Sequence, residues 1–206
     1  VMFMIAFMGR APATGVAIPT PAGWTQAIQV ASTDAATVEN RVALFWKNLA
    51  QTELDTNVPS TGGPGLPVTV TIAPGGLQFV VKPFTVRSNV RFPTINAGPT
   101  SFAHTTLDGA NVTAAGVTTT KSNATIFILI TAWGNSNIAN GFTATNANLT
   151  GLVQAFGAAY ASSSGNYLYV ALWTGTLAAA GASGNTTWTP NSGTPACSSQ
   201  GCTWAM

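Results

Sequence analysis

The sequence predicts an all-β fold, in which strands of about five to nine residues alternate with long polar connections. Residues 68–72 read Val-Thr-Val-Thr-Ile, and the segments 77–81, 125–133 and 166–174 are rich in β-branched and aromatic residues. Clusters of Gly, Pro, Asn and Ser separate these segments, as is typical of turns. Because strands of this length and spacing are typical of sandwiches and jelly rolls, we expect one of these architectures.

Helical patterns are weak throughout the chain. Only residues 34–41 and 178–182 have any helical character, and both are short and interrupted by β-branched residues or glycine. The chain opens with an apolar run at residues 1–8, which is too short to cross a bilayer and lacks the basic residues of a signal peptide. We interpret this run as a buried strand and expect no membrane insertion.

Charged residues are unusually scarce, at 6% of 206 residues, while 46% are hydrophobic. Soluble domains usually carry about 25% charged residues. All twelve charges lie within residues 1–121, and residues 122–206 carry none. This excludes a nucleic-acid binder with a broad basic face. It favours a subunit packed in an assembly or displayed outside the cell, although an ordinary β domain with a bland surface also fits.

The two halves of the chain resemble each other in four blocks, in the same order and 124 to 127 positions apart. The matched blocks are 2–5 with 126–129, 23–29 with 148–154, 42–50 with 169–177, and 78–81 with 203–206. This spacing predicts a tandem duplication of about 125 residues. We expect one β-sandwich module at residues 1–88 and a second at 89–206, in which 89–122 is an approach segment.

The alignment places Trp46 and Trp173 at equivalent positions, and we expect both side chains in the core. The approach segment has no counterpart before Val1, and residues 82–86 have no counterpart after Met206. Both ends therefore look cut from a longer polypeptide with several modules, and trimmed termini are the alternative.

An apolar strand at residues 2–7 is followed by a loop ending in Pro-x-Gly-Trp-Thr at 21–25 and by an apolar strand with Trp46. A Thr/Val-rich strand and then an aromatic strand follow within 68–81. This succession resembles the β-sandwich modules of tailed-bacteriophage virion proteins, found in tail fibres, tail-associated proteins and head decorations. Related modules occur in bacterial surface proteins. The second half departs from the pattern, with Asn-Leu-Thr at 148–150. The resemblance implies a structural or attachment role outside the cell and carries no catalytic residues.

The only cysteines, Cys197 and Cys202, are separated by four residues, and the only histidine is His104. One copy of the chain therefore cannot complete a four-ligand zinc site. The spacing is compatible with a small disulfide-closed loop or with two reduced thiols.

Two surface features are candidates for binding. Lys82, Arg87 and Arg91 concentrate three cations near the junction of the repeats, where they would contact an acidic patch on a neighbouring subunit or lie in a solvated linker. Trp24 follows a Pro-x-Gly turn, which favours partial exposure and stacking against sugar.

Residues suited to catalysis are few. Glu53 and Asp55 lie in a polar loop, where a solvated turn is the simpler interpretation and a calcium site the alternative. His104 and Asp108 could form a dyad, but no nucleophile elbow lies nearby. We therefore expect no enzymatic activity, no metal and no cofactor.

These features together predict a non-enzymatic structural protein of a symmetric extracellular assembly, a bacteriophage tail fibre or capsid decoration. Its partners would be copies of itself and other structural proteins. Uncharged strands such as residues 167–173 lack the Lys or Pro that blunts a free edge, so we expect one to pair with another subunit. The alternative function is a bacterial adhesin or carbohydrate-binding module that uses Trp24 against a cell-surface glycan.

Overall fold

A computed structural model of the chain describes residues 2–10, 17–34, 38–48, 77–86, 95–134, 138, 141–161, 167–191 and 197–206. All regular structure in these ranges is β-strand, so the all-β prediction is confirmed. The predicted strand at 68–72 lies outside the described residues. The described strands are β1 (Met2–Arg10), β2 (Thr25–Asp34), β3 (Val38–Lys47), β4 (Leu77–Thr85), β5 (Ala97–Asp108), β6 (Val112–Ala114), β7 (Thr118–Thr119), β8 (Ala124–Gly134), β9 (Phe142–Thr145), β10 (Thr150–Ala161), β11 (Tyr167–Leu177), β12 (Gly181–Ala182), β13 (Thr186–Pro190) and β14 (Cys197–Ala205).

The described strands form four antiparallel sheets. A four-stranded sheet has the order β2-β3-β1-β4, and a five-stranded sheet has the order β10-β11-β8-β14-β5. A three-stranded sheet, β6-β13-β9, and a two-stranded ribbon, β12-β7, complete the set. The jelly-roll arrangement stays a prediction, because connections through residues 49–76 and 87–94 lie outside the described residues.

The four-stranded sheet packs face to face on the five-stranded sheet. The buried side chains between them form the intersheet core, which includes Phe3 and Leu44 from one sheet and Phe127, Leu129 and Trp204 from the other. Alternate residues of a strand point to the same face, so each strand contributes every second side chain to this core.

The opposite face of the five-stranded sheet packs on the three-stranded sheet. This second core contains Ile126, Ile128 and Ile130 of β8 together with Phe142 and Trp188. Because β8 has a core on each side, its residues are almost continuously apolar, and all but Thr125 are buried. The continuous apolar run at 125–133 therefore marks the central strand of the fold.

Strands on both sides of the boundary predicted near residue 88 share one core in the described residues, and the division into two modules stays a prediction. The described strands before residue 88 form a single sheet, and its inner face packs against strands of the second half. Phe3, for example, lies 6.4 Å from Phe127 and 5.6 Å from Trp204 between ring centroids. The two halves therefore share the intersheet core, and in the described residues neither forms that core alone.

Four strands from each half have the same order in their sheets. The order β2-β3-β1-β4 corresponds to β10-β11-β8-β14. The matched strands are β1 with β8, β2 with β10, β3 with β11 and β4 with β14, so they also follow one another along the chain in the same order. A β-bulge lies between Gln26 and Ile28 in β2, and another lies between Gln154 and Phe156 in β10. Each bulged segment begins with Gln-Ala, and the two segments lie 128 positions apart.

The ladder also aligns the neighbouring strands. Ile28 is opposite Leu44, and Phe156 is opposite Leu172, again with a separation of 128 positions. Residues 42–44 and 170–172 then match as Val-Ala-Leu in both halves. This alignment differs by one position from the expected equivalence of Trp46 and Trp173.

The two tryptophans accordingly face different cores. Trp46 packs against the intersheet core, whereas Trp173 packs against the second core and meets Trp188 edge to face at 5.6 Å. Both are only partly buried. A shift of one residue moves a side chain to the other face of its sheet, which is why the one-position difference changes the core that each ring joins.

Candidate interaction sites

The turn before β2 places Trp24 as the Pro-x-Gly motif predicts. The Trp24 amide donates a hydrogen bond to the Pro21 carbonyl at 3.1 Å. Gly23 has φ of 77°, a left-handed conformation that favours glycine at the third position of a type II turn. The strand begins directly afterwards, at Thr25.

Side-chain hydrogen bonds fix the segment that leads into this turn. The Ile18 amide donates to Gln29 Oε1 at 2.9 Å, and Gln29 Nε2 donates back to the Ile18 carbonyl at 3.0 Å. Arg41 Nη1 also donates to Gln29 Oε1, at 3.2 Å. Because Ile18 is buried, this pairing anchors the segment before the turn to β2.

Trp24 is half-buried, and the Lys47 ammonium lies 5.8 Å from its ring centroid. This is within the range of a cation–π interaction. Gln26 and Asn48 are exposed on the same two strand ends. The arrangement combines an accessible aromatic ring, an ammonium and exposed amides, which is chemistry suited to a polar ligand with a flat apolar face.

Of the three cations expected at a subunit contact, the structure describes only Lys82. Its ammonium lies 5.4 Å from the ring centroid of Phe156, and Phe84 lies 6.0 Å from the same ring. Lys82 therefore bridges the edges of the two large sheets within the chain. Arg87 and Arg91 lie outside the described residues, so their contact with a neighbouring subunit stays a prediction.

The disulfide considered for Cys197 and Cys202 is not formed. Both residues are in β14, where Cys197 packs into the second core and Cys202 into the intersheet core. Five residues of strand span about 16 Å, whereas the Cα atoms of a disulfide lie within about 7 Å. The extended strand therefore excludes the small closed loop, and burial raises the pKa of the Cys202 thiol.

A polar stretch of β14 is buried, a feature that sequence reasoning missed. Ser198, Ser199 and Gln200 are all fully or almost fully inaccessible. Asn40 Nδ2 donates a hydrogen bond to Ser198 Oγ at 2.5 Å, which joins the two large sheets. Neither amide atom of Gln200 has a hydrogen-bond partner among the described residues. The alternation of polar residues with Cys, Gly and Trp is the only sequence signal that β14 lies between two layers.

Among the described residues, no group of three His, Cys, Asp or Glu side chains could hold a metal ion. His104 and Asp108 both lie in β5, where the register with β14 is irregular between them. The Asp108 side chain is not among those that the structure describes, so their dyad stays untested. Glu53 and Asp55 lie outside the described residues. The residues that the structure describes contain no helix long and apolar enough to cross a membrane.

The segment 167–173, expected as a free edge, is an interior strand. It belongs to β11, which pairs with β10 on one side and β8 on the other. In the described residues, the outer strand on this side of the sheet is β10, and β5 is the outer strand on the other side. The side chains of β10 are exposed or only partly buried along its whole length.

No family model, curated protein or solved structure matches this chain.

Proposed function

We propose that the protein is a non-enzymatic structural component of a symmetric extracellular assembly, namely a bacteriophage virion, as a tail fibre or a capsid decoration. The observation that carries this proposal is the pair of matched four-stranded ladders. They support a tandem duplication in which each copy is one β module. Modular β repeats of this kind resemble those of virion proteins, as the sequence pattern indicates.

The core that the two ladders share also supports a structural role. Rings from both halves meet in it, including Phe3 with Trp204 at 5.6 Å and Phe84 with Trp204 at 6.4 Å. Aromatic pairs contribute more than their buried area, so the two ladders stabilise each other. A rigid unit with few titratable groups is suited to bearing contacts rather than to acid–base chemistry.

The charge distribution supports packing against neighbouring subunits. Residues 122–206 carry no charge, and they supply four of the five strands of the five-stranded sheet. A freely dispersed protein gains solubility from surface charge, whereas a subunit contact is easier to form when no charge has to be desolvated. The proposed partners are further copies of the chain and other structural proteins of the assembly.

Electron microscopy of particles from the native source tests this proposal. A monoclonal antibody against the chain would be applied to purified particles, and antibody pre-absorbed with the recombinant chain would serve as control. Regularly spaced label on a capsid or tail is the expected result. Label scattered over a cell envelope, or no specific label on particles, would overturn the proposal.

The half-buried ring of Trp24 favours a second candidate function, binding of a cell-surface glycan by an adhesin or carbohydrate-binding module. The test is a glycan array probed with the wild-type chain, Trp24→Ala, Trp24→Phe and Tyr160→Ala. Stacking predicts that binding is lost in Trp24→Ala, is partly kept in Trp24→Phe, and is unchanged in Tyr160→Ala, since Tyr160 lies on β10. Equal binding by all four proteins, or by none, would exclude a Trp24 site for the glycans on the array.

A further inference from the structure

In the described residues, the two large sheets have four edge strands, and three of them contain proline or charged residues, which discourage pairing with another chain. β4 contains Lys82 and Pro83, and β5 contains Pro99. β2 ends in Asp34. Lys, Pro and inward charges are common means of protecting a sheet edge.

The fourth edge is β10, which packs against β4 across the sandwich, where Phe156 meets Phe84 and Lys82. Its twelve residues contain no Pro and no charged side chain. Its bulges lie between Thr150 and Phe156, where they disrupt the ladder. From Phe156 to Ala161 each residue pairs with β11 in regular register, so six consecutive residues form a straight outer edge. Such an edge presents alternating unpaired N–H and C=O groups to any approaching strand.

The side chains of β10 are also unusually apolar for an outer strand. Val153 is 56% exposed and Tyr160 is 36% exposed, two of the three exposed large hydrophobic residues in the described ranges. The third, Val81, is on β4 beside Lys82. Pairing along β10 would remove part of this apolar surface from water, which contributes about 25 cal/mol for each Å² buried.

We propose that β10 pairs antiparallel with β10 of a second copy of this chain, around a two-fold axis near residues 156–161. The proposal rests on the proposed function, for which it names a contact surface. A two-fold axis lets the same six residues satisfy the backbone of both copies. β10 carries no charged residue, so pairing removes no β10 charge from water, and the Lys82 ammonium beside Phe156 belongs to β4 of the other sheet. The two five-stranded sheets then become one continuous sheet.

Sedimentation velocity of the full chain over a range of concentrations tests the pairing. The key variant is Val153→Lys with Tyr160→Lys, which places two cations on each β10 edge. Val81→Lys is the matched control, because it adds a lysine at an exposed valine on β4, where the edge already has Lys82 and Pro83. The wild type and Val81→Lys should dimerise alike, and the double variant should dimerise at least tenfold more weakly.

Hydrogen exchange of the unmodified chain gives a second readout that needs no substitution. Amides of residues 156–161 should become more protected as the concentration rises through the dimerisation range, while those of β4 stay unchanged. Dimers that form equally in all three proteins, without added protection of β10, would overturn the β10 contact and leave the proposed function in place. A wild-type chain that stays monomeric at high concentration would also overturn it, and particle labelling would then test the proposed function separately.

Discussion

Trp204 stacks on Phe127 in neighbouring strands of the same sheet, with ring centroids 5.1 Å apart and 10° between the ring planes. The Trp204 side chain is fully buried, and it also contacts Phe3 and Phe84 of the opposite sheet. This ring therefore connects the two halves of the chain at the centre of the intersheet core.

Removal of the Trp204 ring should strongly destabilise the fold. Trp204→Ala is expected to lower the free energy of unfolding by about 3 to 5 kcal/mol, since it leaves a cavity where four rings meet. Trp204→Phe should cost much less, because it keeps a stacked ring and removes an indole N–H that has no partner in the described part of the chain. Urea denaturation followed by circular dichroism measures both values. Equal losses in the two variants would show that the stacked ring is not the stabilising element.

A side chain at Gly201 should also be poorly tolerated. A Cβ there would overlap the backbone carbonyl of Leu129 in the adjacent strand, which cannot move without disturbing the ladder. Gly201→Ala is expected to cost about 1 to 3 kcal/mol. Gly109→Ala is the matched control, because nothing lies within 4 Å of its added Cβ. Thermal unfolding of the two variants and the wild type gives the comparison, and a Gly201→Ala protein as stable as Gly109→Ala would contradict the packing described for β14.

The chain should contain two reduced thiols. Denaturation without reductant, followed by alkylation with iodoacetamide and intact mass measurement, is expected to add two carbamidomethyl groups. In the native state Cys202 should react far more slowly than after unfolding, because it is fully buried and its pKa is raised. An intact mass without added groups, two protons lighter than the reduced chain, would mean that β14 is not the extended strand described above.

Stability should fall at alkaline pH. Burial raises the pKa of the Cys202 thiol above its ordinary value of 9.0, so the stability it contributes is present below pH 9 and is lost progressively above it. Burial likewise raises the pKa of Tyr169 above 10.0, although hydrogen bonds with Phe142 and Gln154 oppose this rise. Above its ordinary pKa, each group should lower the free energy of unfolding by at most about 1.4 kcal/mol for each pH unit.

Denaturant titrations between pH 8 and 10 test the contribution of Cys202. Cys202→Val should have a shallower loss of stability with pH than the wild type. Val170→Ala, which is also in the intersheet core but has no titrating group, should be less stable at every pH with an unchanged slope. Identical slopes in all three proteins would remove Cys202 as the cause.

The burial of the Gln200 amide is a feature that sequence patterns could not predict. A polar run such as residues 198–200 usually indicates an exposed strand, because an unpaired polar group is costly to bury. Here β14 lies between β8 and β5 and has a core on each face, so its polar side chains are buried by their neighbours. The residues of a segment do not indicate which strands will lie on either side of it in the sheet.

The sequence by itself determined the all-β class, the apolar strand at residues 125–133 and the turn that presents Trp24. Each depends on local chemistry, such as side-chain alternation or the freedom of a glycine at positive φ. Only the tertiary structure decided the one-position difference between Trp46 and Trp173, the opposite faces of Cys197 and Cys202, and the choice of β10 rather than 167–173 as the edge. These depend on strand register and strand order, which are set by pairing between residues far apart in the chain.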